Sequence, residues 1–328
     1  MTAGQRPSRQ GSAVPSGGGD GAGGAARHHG PTRNVDLRFE GGNRCQSADG
    51  VELYYEIRGT GDVTLTFLNH LFLVAPAWRT VTSELEQSLR LVAYDLRNQG
   101  ASTRLHGALT WSDHVEDLRH LLDCIGVERT YLLGTSMSAM IARDFALAYP
   151  ERVAGLLLVG PAFSPYGSQR RLALTRTWIY LLETGGMEVL YNHLYALCFS
   201  DFSQESGGSP MYLGFREVFL AVHSPEQVLA NLAAAQSVRD EPEKLTQLSC
   251  PTLLMVGDTD FLWSTSSLTE MQRIVRGLRV AVIPRAGHLP YAENTSDFER
   301  EALRFIEDCE QQRAAERLAV ASGSPTRR

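Results

Sequence analysis

The sequence predicts an α/β fold: a mostly parallel central sheet with helices on both faces and an inserted all-helical segment. Three observations carry this. Short, almost purely apolar runs recur, among them "TYLLG", "VAGLLLVG" and "PTLLMVG", as parallel strands covered on both faces require. Stretches with helical periodicity lie between them. One long segment holds helical, apolar pieces and no strand signal.

The elements follow in order. Residues 1–33, with "SGGGDGAGG", lack any periodic apolar pattern. Such composition does not offset the entropy of ordering, so a disordered tail is expected, with His28 and His29 as a solvated pair. "VDLRFE" and "VELYYEIR" alternate apolar and polar residues like half-buried strands. A turn at Gly59-Thr60-Gly61-Asp62 leads into "VTLTFLN", and "LRLVAYD" is the next strand. "TWSDHVEDLRHLLDCIG" places Leu118, Leu121, Leu122 and Ile125 on one helix face, with a hydroxyl cap before it and Gly126 after it. "TYLLG" is a strand, and "MIARDFALAYP" a helix that stops before Pro150. "VAGLLLVG" precedes the strandless segment, whose two pieces are separated by Gly207-Gly208-Ser209-Pro210. "PTLLMVG" and "LRVAVIP" complete the sheet. The expected organisation is a tail at 1–33, an α/β core at 34–163 and 249–313, a helical cap at 164–248, and a frayed tail at 314–328. There is no internal repeat.

Bulk properties narrow the function. The 328 residues are 43% apolar and 21% charged, ordinary for a globular chain. Net charge is −6 with no basic run, which argues against nucleic acid as a partner. The five cysteines are odd in number and scattered, unlike a disulfide framework or a zinc site. No apolar stretch reaches the length of a membrane span, and the N-terminus lacks the apolar core of a secretory signal. A cytoplasmic protein is expected. No Walker loop, dinucleotide glycine pattern or metal cluster appears, so no cofactor and no metal is implied.

Sites in open parallel sheets form at the carboxyl ends of strands. Four such ends carry suggestive residues: Asn69-His70-Leu71-Phe72, Gly134-Thr135-Ser136, Asp258-Thr259-Asp260 and Arg285-Ala286-Gly287-His288. With "YDLRNQGAST" and "AGHLPYAEN", this set makes residues 50–308 resemble the α/β-hydrolase superfamily. The resemblance implies a catalytic triad of Ser136 as nucleophile, His288 as base and Asp260 as orienting acid. Relatives place the acid fourth in a G-x-x-D run beginning here at Gly257, which leaves Asp258 as a solvated loop residue. The oxyanion hole would take the backbone N–H of Met137 and that of either Leu71 or Phe72. His70 holds the family's usual histidine position, a loop-supporting one. Arg97, Asn98 and Gln99 replace the commoner Arg-Gly-His, and with Gly100 they are given a structural role. His106, His114, His120, His193 and His223 lack a strand-end context and are read as solvated or core-packed, with the first three near the polar face of their helix.

The elbow itself departs from G-x-S-x-G, because Ser138 stands where the second glycine belongs. Serine adds two heavy atoms and is a mild replacement. Making Ser138 the nucleophile would flank it with Ser136 and Met140, which fits worse.

The cap is rich in large apolar residues, most of which build its own packing. Trp178, Tyr195 and Phe215, with His70, are the candidates to line a substrate pocket. An apolar roof suits an alkyl or aryl acyl group. "FLNHLFLVAPAW" and "GPAFSP" resemble a branch with hydroxyacyl-carrier-protein transacylases and rhamnolipid-precursor synthases; enol-lactone hydrolases are about equally similar. Three functions follow. The first is a hydrolase cleaving a small apolar ester, lactone or thioester through an acyl-enzyme. The second is an acyltransferase from a carrier-protein or CoA thioester to an acceptor other than water. The third is a non-catalytic binding protein on the same fold. Dehalogenase and epoxide-hydrolase chemistry would need an aspartate at position 136. Nothing in the sequence sets an oligomeric state.

Overall fold

The computed structural model describes residues 37–104 and 109–321. The tail expected at 1–33, with His28 and His29, lies outside them, as do His106 and the last seven residues. Eight strands form one sheet: β1 (Asn43–Gln46), β2 (Glu52–Arg58), β3 (Thr64–Leu68), β4 (Arg90–Tyr94), β5 (Thr130–Thr135), β6 (Val153–Val159), β7 (Thr252–Gly257) and β8 (Arg279–Ile283). Their order is β1-β2-β4-β3-β5-β6-β7-β8. The β1–β2 and β2–β4 pairs are antiparallel; from β4 to β8 every pair is parallel. "VDLRFE" forms no strand over its described part, Leu37–Glu40. Its neighbour Asn43–Gln46 pairs with β2 instead.

The parallel strands inside the sheet are mostly apolar because both faces are covered, whereas the edge strand β8 leaves Val282 exposed. In β5, Leu132 packs into one core, and Tyr131 and Leu133 into the other. β6 repeats this with Leu156 and Leu158 against Leu157 and Val159. Each such side chain stabilises the fold by about 1.5–3 kcal/mol through burial. Helices supply the covers: α1 (Leu85–Ser88), α2 (Trp111–Cys124) and α3 (Ser138–Ala148). Thr110 and Asp113 form a capping box at the start of α2.

Between β6 and β7 the chain forms only helices: α4 (Gln169–Cys198), α5 (Asp201–Val222), α6 (Pro225–Ser237) and α7 (Pro242–Leu245). The Gly207–Pro210 stretch is not the break between the two main pieces. It kinks α5 at Gly208 (φ 51°), and Gly186 (φ 75°) kinks α4. The break falls at Phe199–Ser200, where the Ser200 side chain caps α5 by accepting the Ser203 N–H.

The remaining helices are α8 (Thr265–Ile274), α9 (Pro290–Glu293) and α10 (Thr295–Ala321). α10 buries Phe298, Ala302, Phe305 and Ile306 on one face and continues through 314–321, part of the stretch expected to fray. That segment is made of strong helix formers, among them Ala314, Ala315, Glu316 and Leu318. Among the described residues no helix is long and apolar enough to cross a membrane.

Candidate active site

The carboxyl end of the sheet brings three distant loops together. β5 stops at Thr135 and α3 begins at Ser138, so the turn must be abrupt. Ser136 takes it up with φ 50°, a left-handed backbone that is strained for a residue with a side chain. Its N–H donates to the Val159 carbonyl and its carbonyl accepts the Ala162 N–H, both at 2.9 Å, which fixes the turn. A Cβ on Gly134 would sit 2.7 Å from Ala139 Cα, so strand and helix meet backbone to backbone.

Ser138 fits this tight junction by using its hydroxyl. It is buried, accepts the Thr135 N–H at 3.0 Å, and donates to the Leu68 carbonyl at 2.7 Å. With both capacities engaged inside the protein, Ser138 has no hydroxyl to offer a substrate.

Asp260 follows β7 and is buried, as is His288 beyond β8. His288 Nδ1 lies 3.0 Å from Asp260 Oδ2, and His288 Nε2 lies 2.9 Å from Ser136 Oγ. An ionised carboxylate only accepts, so the imidazole proton sits on Nδ1 and donates to Asp260. Nε2 is then free to accept from the serine hydroxyl. Asp260 Oδ1 accepts the Leu262 N–H at 2.8 Å, and Phe261 packs on the imidazole with ring centres 4.8 Å apart. Gly160 allows this approach: a Cβ there would lie 2.8 Å from Asp260 Oδ2 and 2.9 Å from His288 Nδ1. Gly257 is equally constrained, since a Cβ would overlap the Gly287 carbonyl.

Asp258 is exposed in the loop after β7, as expected, and it has a bracing contact besides. Its carboxylate accepts the N–H groups of Arg285 at 2.9 Å and Ala286 at 3.1 Å. It therefore braces the loop that carries His288, where Arg285 has φ 56°.

Across from the elbow, the loop after β3 distinguishes the two oxyanion candidates. The Phe72 N–H donates to His70 Nδ1 at 3.1 Å. Among the described residues the N–H groups of Leu71 and Met137 have no acceptor. Burial first, and the nearby His288 and His223 rings second, push His70 down to about 3, which keeps it neutral and able to accept. Gln99 Nε2 donates to the His70 carbonyl at 2.7 Å. Asp95, fully buried, accepts Asn69 Nδ2 at 3.1 Å, the Ala75 N–H at 2.7 Å and the Ala101 N–H at 2.9 Å. Trp78 Nε1 donates to Asn69 Oδ1 at 2.7 Å. Sequence reasoning passed over Asp95, Gly160 and the specific tasks of Asn69 and Gln99. Their only signal was polar or glycine residues at the ends of apolar strands.

Ser136, His288, Met137, Leu71, Phe72 and His70 share one cavity of about 440 Å³ with Trp178, Tyr195 and Phe215 of the cap. The roof is a web of rings: Phe72 stacks near Trp178 and Phe219, Tyr195 near Phe199, and Phe199 near Phe215, with centres 4.9–6.3 Å apart. Glu84, Glu293 and Glu299 also line it, and among the described residues no arginine or lysine does. Among the described residues, His114 and His223 take no part in the contacts joining Ser136, His288 and Asp260. His114 is buried against Trp111 rather than on the polar face of α2, because that face of the helix lies beside Arg97 and Asp117. His223 packs its ring on Phe219 and Phe72.

The chain is similar to enzymes along most of its length. It is 24% identical over 250 residues to 3-oxoadipate enol-lactonase 1 of Acinetobacter baylyi, covering 76% of this chain and 91% of that protein. It is 24% identical over 241 residues to 2-hydroxy-6-oxo-2,4-heptadienoate hydrolase of Pseudomonas putida, covering 70% and 82%. A thermophilic esterase from Thermogutta terrifontis superposes with a TM-score of 0.73 at 25% identity, covering 82% of this chain and 98% of that one. The family model described as the alpha/beta hydrolase fold spans residues 68–295, from the end of β3 to the start of α10. The chain therefore belongs to the α/β-hydrolase family of enzymes.

Proposed function

We propose that the protein is a serine hydrolase that cleaves a small, uncharged, apolar ester or lactone through an acyl-enzyme. The observation that carries this reading is the unbroken relay from Ser136 through His288 to Asp260, at 2.9 and 3.0 Å, opening into an aromatic cavity. Ser136 Oγ attacks the substrate carbonyl while His288 Nε2 takes its proton. Asp260 keeps the imidazole in the correct tautomer and stabilises its charged form. The unengaged N–H groups of Met137 and Leu71 receive the oxyanion, and loss of one such donor costs about 10²–10³-fold in rate. His288 returns the proton to the leaving group. It then activates a water, which attacks the acyl-enzyme and frees Ser136.

The cavity selects the acyl group. Its rings suit an alkyl or aryl chain, and a carboxylate or phosphate inside it would meet three glutamates and no cation. This favours a neutral ester or lactone over a phosphate-bearing carrier thioester.

The test is turnover of neutral 4-nitrophenyl esters across acyl lengths, with product analysis in the presence of alcohols. Free acid as product and loss of at least about 10⁴-fold in Ser136→Ala are expected. Fluorophosphonate labelling of wild type but not of Ser136→Ala accompanies it. Equal labelling of both, or full activity of Ser136→Ala, would overturn the reading; an ester of the added alcohol as main product would replace it with acyl transfer.

A further inference from the structure

Glu293 sits at the end of α9, five residues beyond His288, and its carboxylate joins two parts of the site. Oε1 accepts the Gly287 N–H at 2.8 Å, on the residue just before His288. Oε2 accepts both the N–H of Ser200 at 2.8 Å and its hydroxyl at 2.7 Å. Ser200 is the joint between α4 and α5 of the cap. The His288 N–H reinforces the seam by donating to the Cys198 carbonyl at 2.7 Å. The fit leaves no slack: a Cβ on Gly287 would lie 2.8 Å from Ser200 N and 3.0 Å from the Phe199 carbonyl carbon.

Three donors converge on one group here, two from the cap joint and one from the histidine loop. Only an acceptor with two oxygens satisfies both sides; a glutamine would turn its NH₂ toward one set of donors. Tyr195 and Phe199, beside this joint, line the cavity. Whatever packs against them bears on the same seam that carries His288.

We propose that Glu293 is a positioning residue that locks the His288 loop to the α4–α5 joint, so that the cap sets the aim of the imidazole. This rests on the reading of His288 as the base. A misplacement of about 1 Å in such a group costs about 10²-fold in rate.

The experiment compares wild type, Glu293→Gln and Ser200→Ala in the full chain, using a neutral nitrophenyl ester, fluorophosphonate labelling and thermal melting. In Glu293→Gln, kcat and the labelling rate are expected to fall together by about 30–100-fold, with KM within about threefold and melting lower by several degrees. Ser200→Ala loses the hydroxyl bond to Glu293 and with it the cap of α5, so its kcat is expected to fall less and in the same direction, with melting lower by a few degrees. Unchanged kcat in both variants with lowered melting would overturn the proposal and leave Glu293 as scaffold. If Glu293→Gln does not fold, Ser200→Ala, assayed well below its melting temperature, decides: lower kcat supports the proposal, and unchanged kcat overturns it. Ser136→Ala serves as control. Turnover independent of Ser136 sinks the hydrolase reading, whereas Ser136-dependent turnover indifferent to Glu293 and Ser200 sinks only this one.

Discussion

The Ser138 hydroxyl donates to the carbonyl of Leu68 at 2.7 Å, linking the Ser136 turn to the last residue of β3. Leu68 opens directly into Asn69-His70-Leu71, so one side chain joins the serine turn to the loop bearing the Leu71 N–H. Thr135 Oγ1 reaches the same carbonyl at 3.2 Å. The serine in place of glycine thus adds a fastening where relatives with G-x-S-x-G have only close packing.

Ser138→Ala removes that fastening and strands the Thr135 N–H, a buried donor left without its acceptor. The expected loss is about 1–3 kcal/mol, or a melting temperature lower by several degrees in a chain of this size. Turnover is expected to fall severalfold, because the oxyanion loop loses one tether. Ser138→Gly, which restores the family pattern, is expected to lose the same bond. Calorimetry alongside ester kinetics checks this; wild-type melting in both variants would mean that Thr135 holds the junction alone.

The two aspartates after β7 separate by their partners. Asp260 touches His288, so Asp260→Asn is expected to lower kcat by about 10⁴-fold through the wrong imidazole tautomer, as in triads generally. Asp258 touches only the Arg285 and Ala286 N–H groups. Asp258→Asn is expected to cost about 0.5–1.5 kcal/mol in stability, since the site is exposed, and less than about tenfold in kcat. Paired kinetics and melting of the two variants decide it, and an equal loss of kcat in both would refute the assignment.

The sheet was legible because covered parallel strands leave apolar runs that little else produces, and the elbow and the Asp260 and His288 loops stood at their ends. Leu71 and Phe72 could not be separated in sequence, since the difference is a ring nitrogen of His70 taking one N–H and not the other. Asp258 reads as an exposed loop residue and is one, but its bracing bonds could not be read because its partners are main-chain groups, which every residue has. The kinks at Gly186 and Gly208 misplaced the cap's internal break, as one glycine that bends a helix reads like one that ends it. Glu293 was invisible for a related reason: its worth lies in donors from Ser200, 93 residues away.

Acid should weaken the fold before it reaches ordinary carboxylate titration. Burial pushes His70 down to about 3 and His114 and His223 down to about 4. The unfolded chain takes up these protons near 6.5, so between about pH 6.5 and 4 it binds more protons than the native state. Stability therefore falls with pH across that window, each group contributing roughly 1.4 kcal/mol per pH unit once well below 6.5. Asp95 works the other way: burial raises it to about 7, so the native state gains its proton first and gains stability as pH drops from 7 toward 4. Burial raises Asp117 and Asp240 in the same direction as Asp95, so the three carboxylates offset part of what the three imidazoles lose, leaving a shallower decline from near neutrality toward about pH 4.5. Urea midpoints measured from pH 8 to 4.5 are expected to trace that curve. His114→Gln, remote from the Ser136 cavity, should flatten it by one group while leaving kcat at neutral pH unchanged. A midpoint constant between pH 6.5 and 4.5 would show that these imidazoles are protonated in the native state.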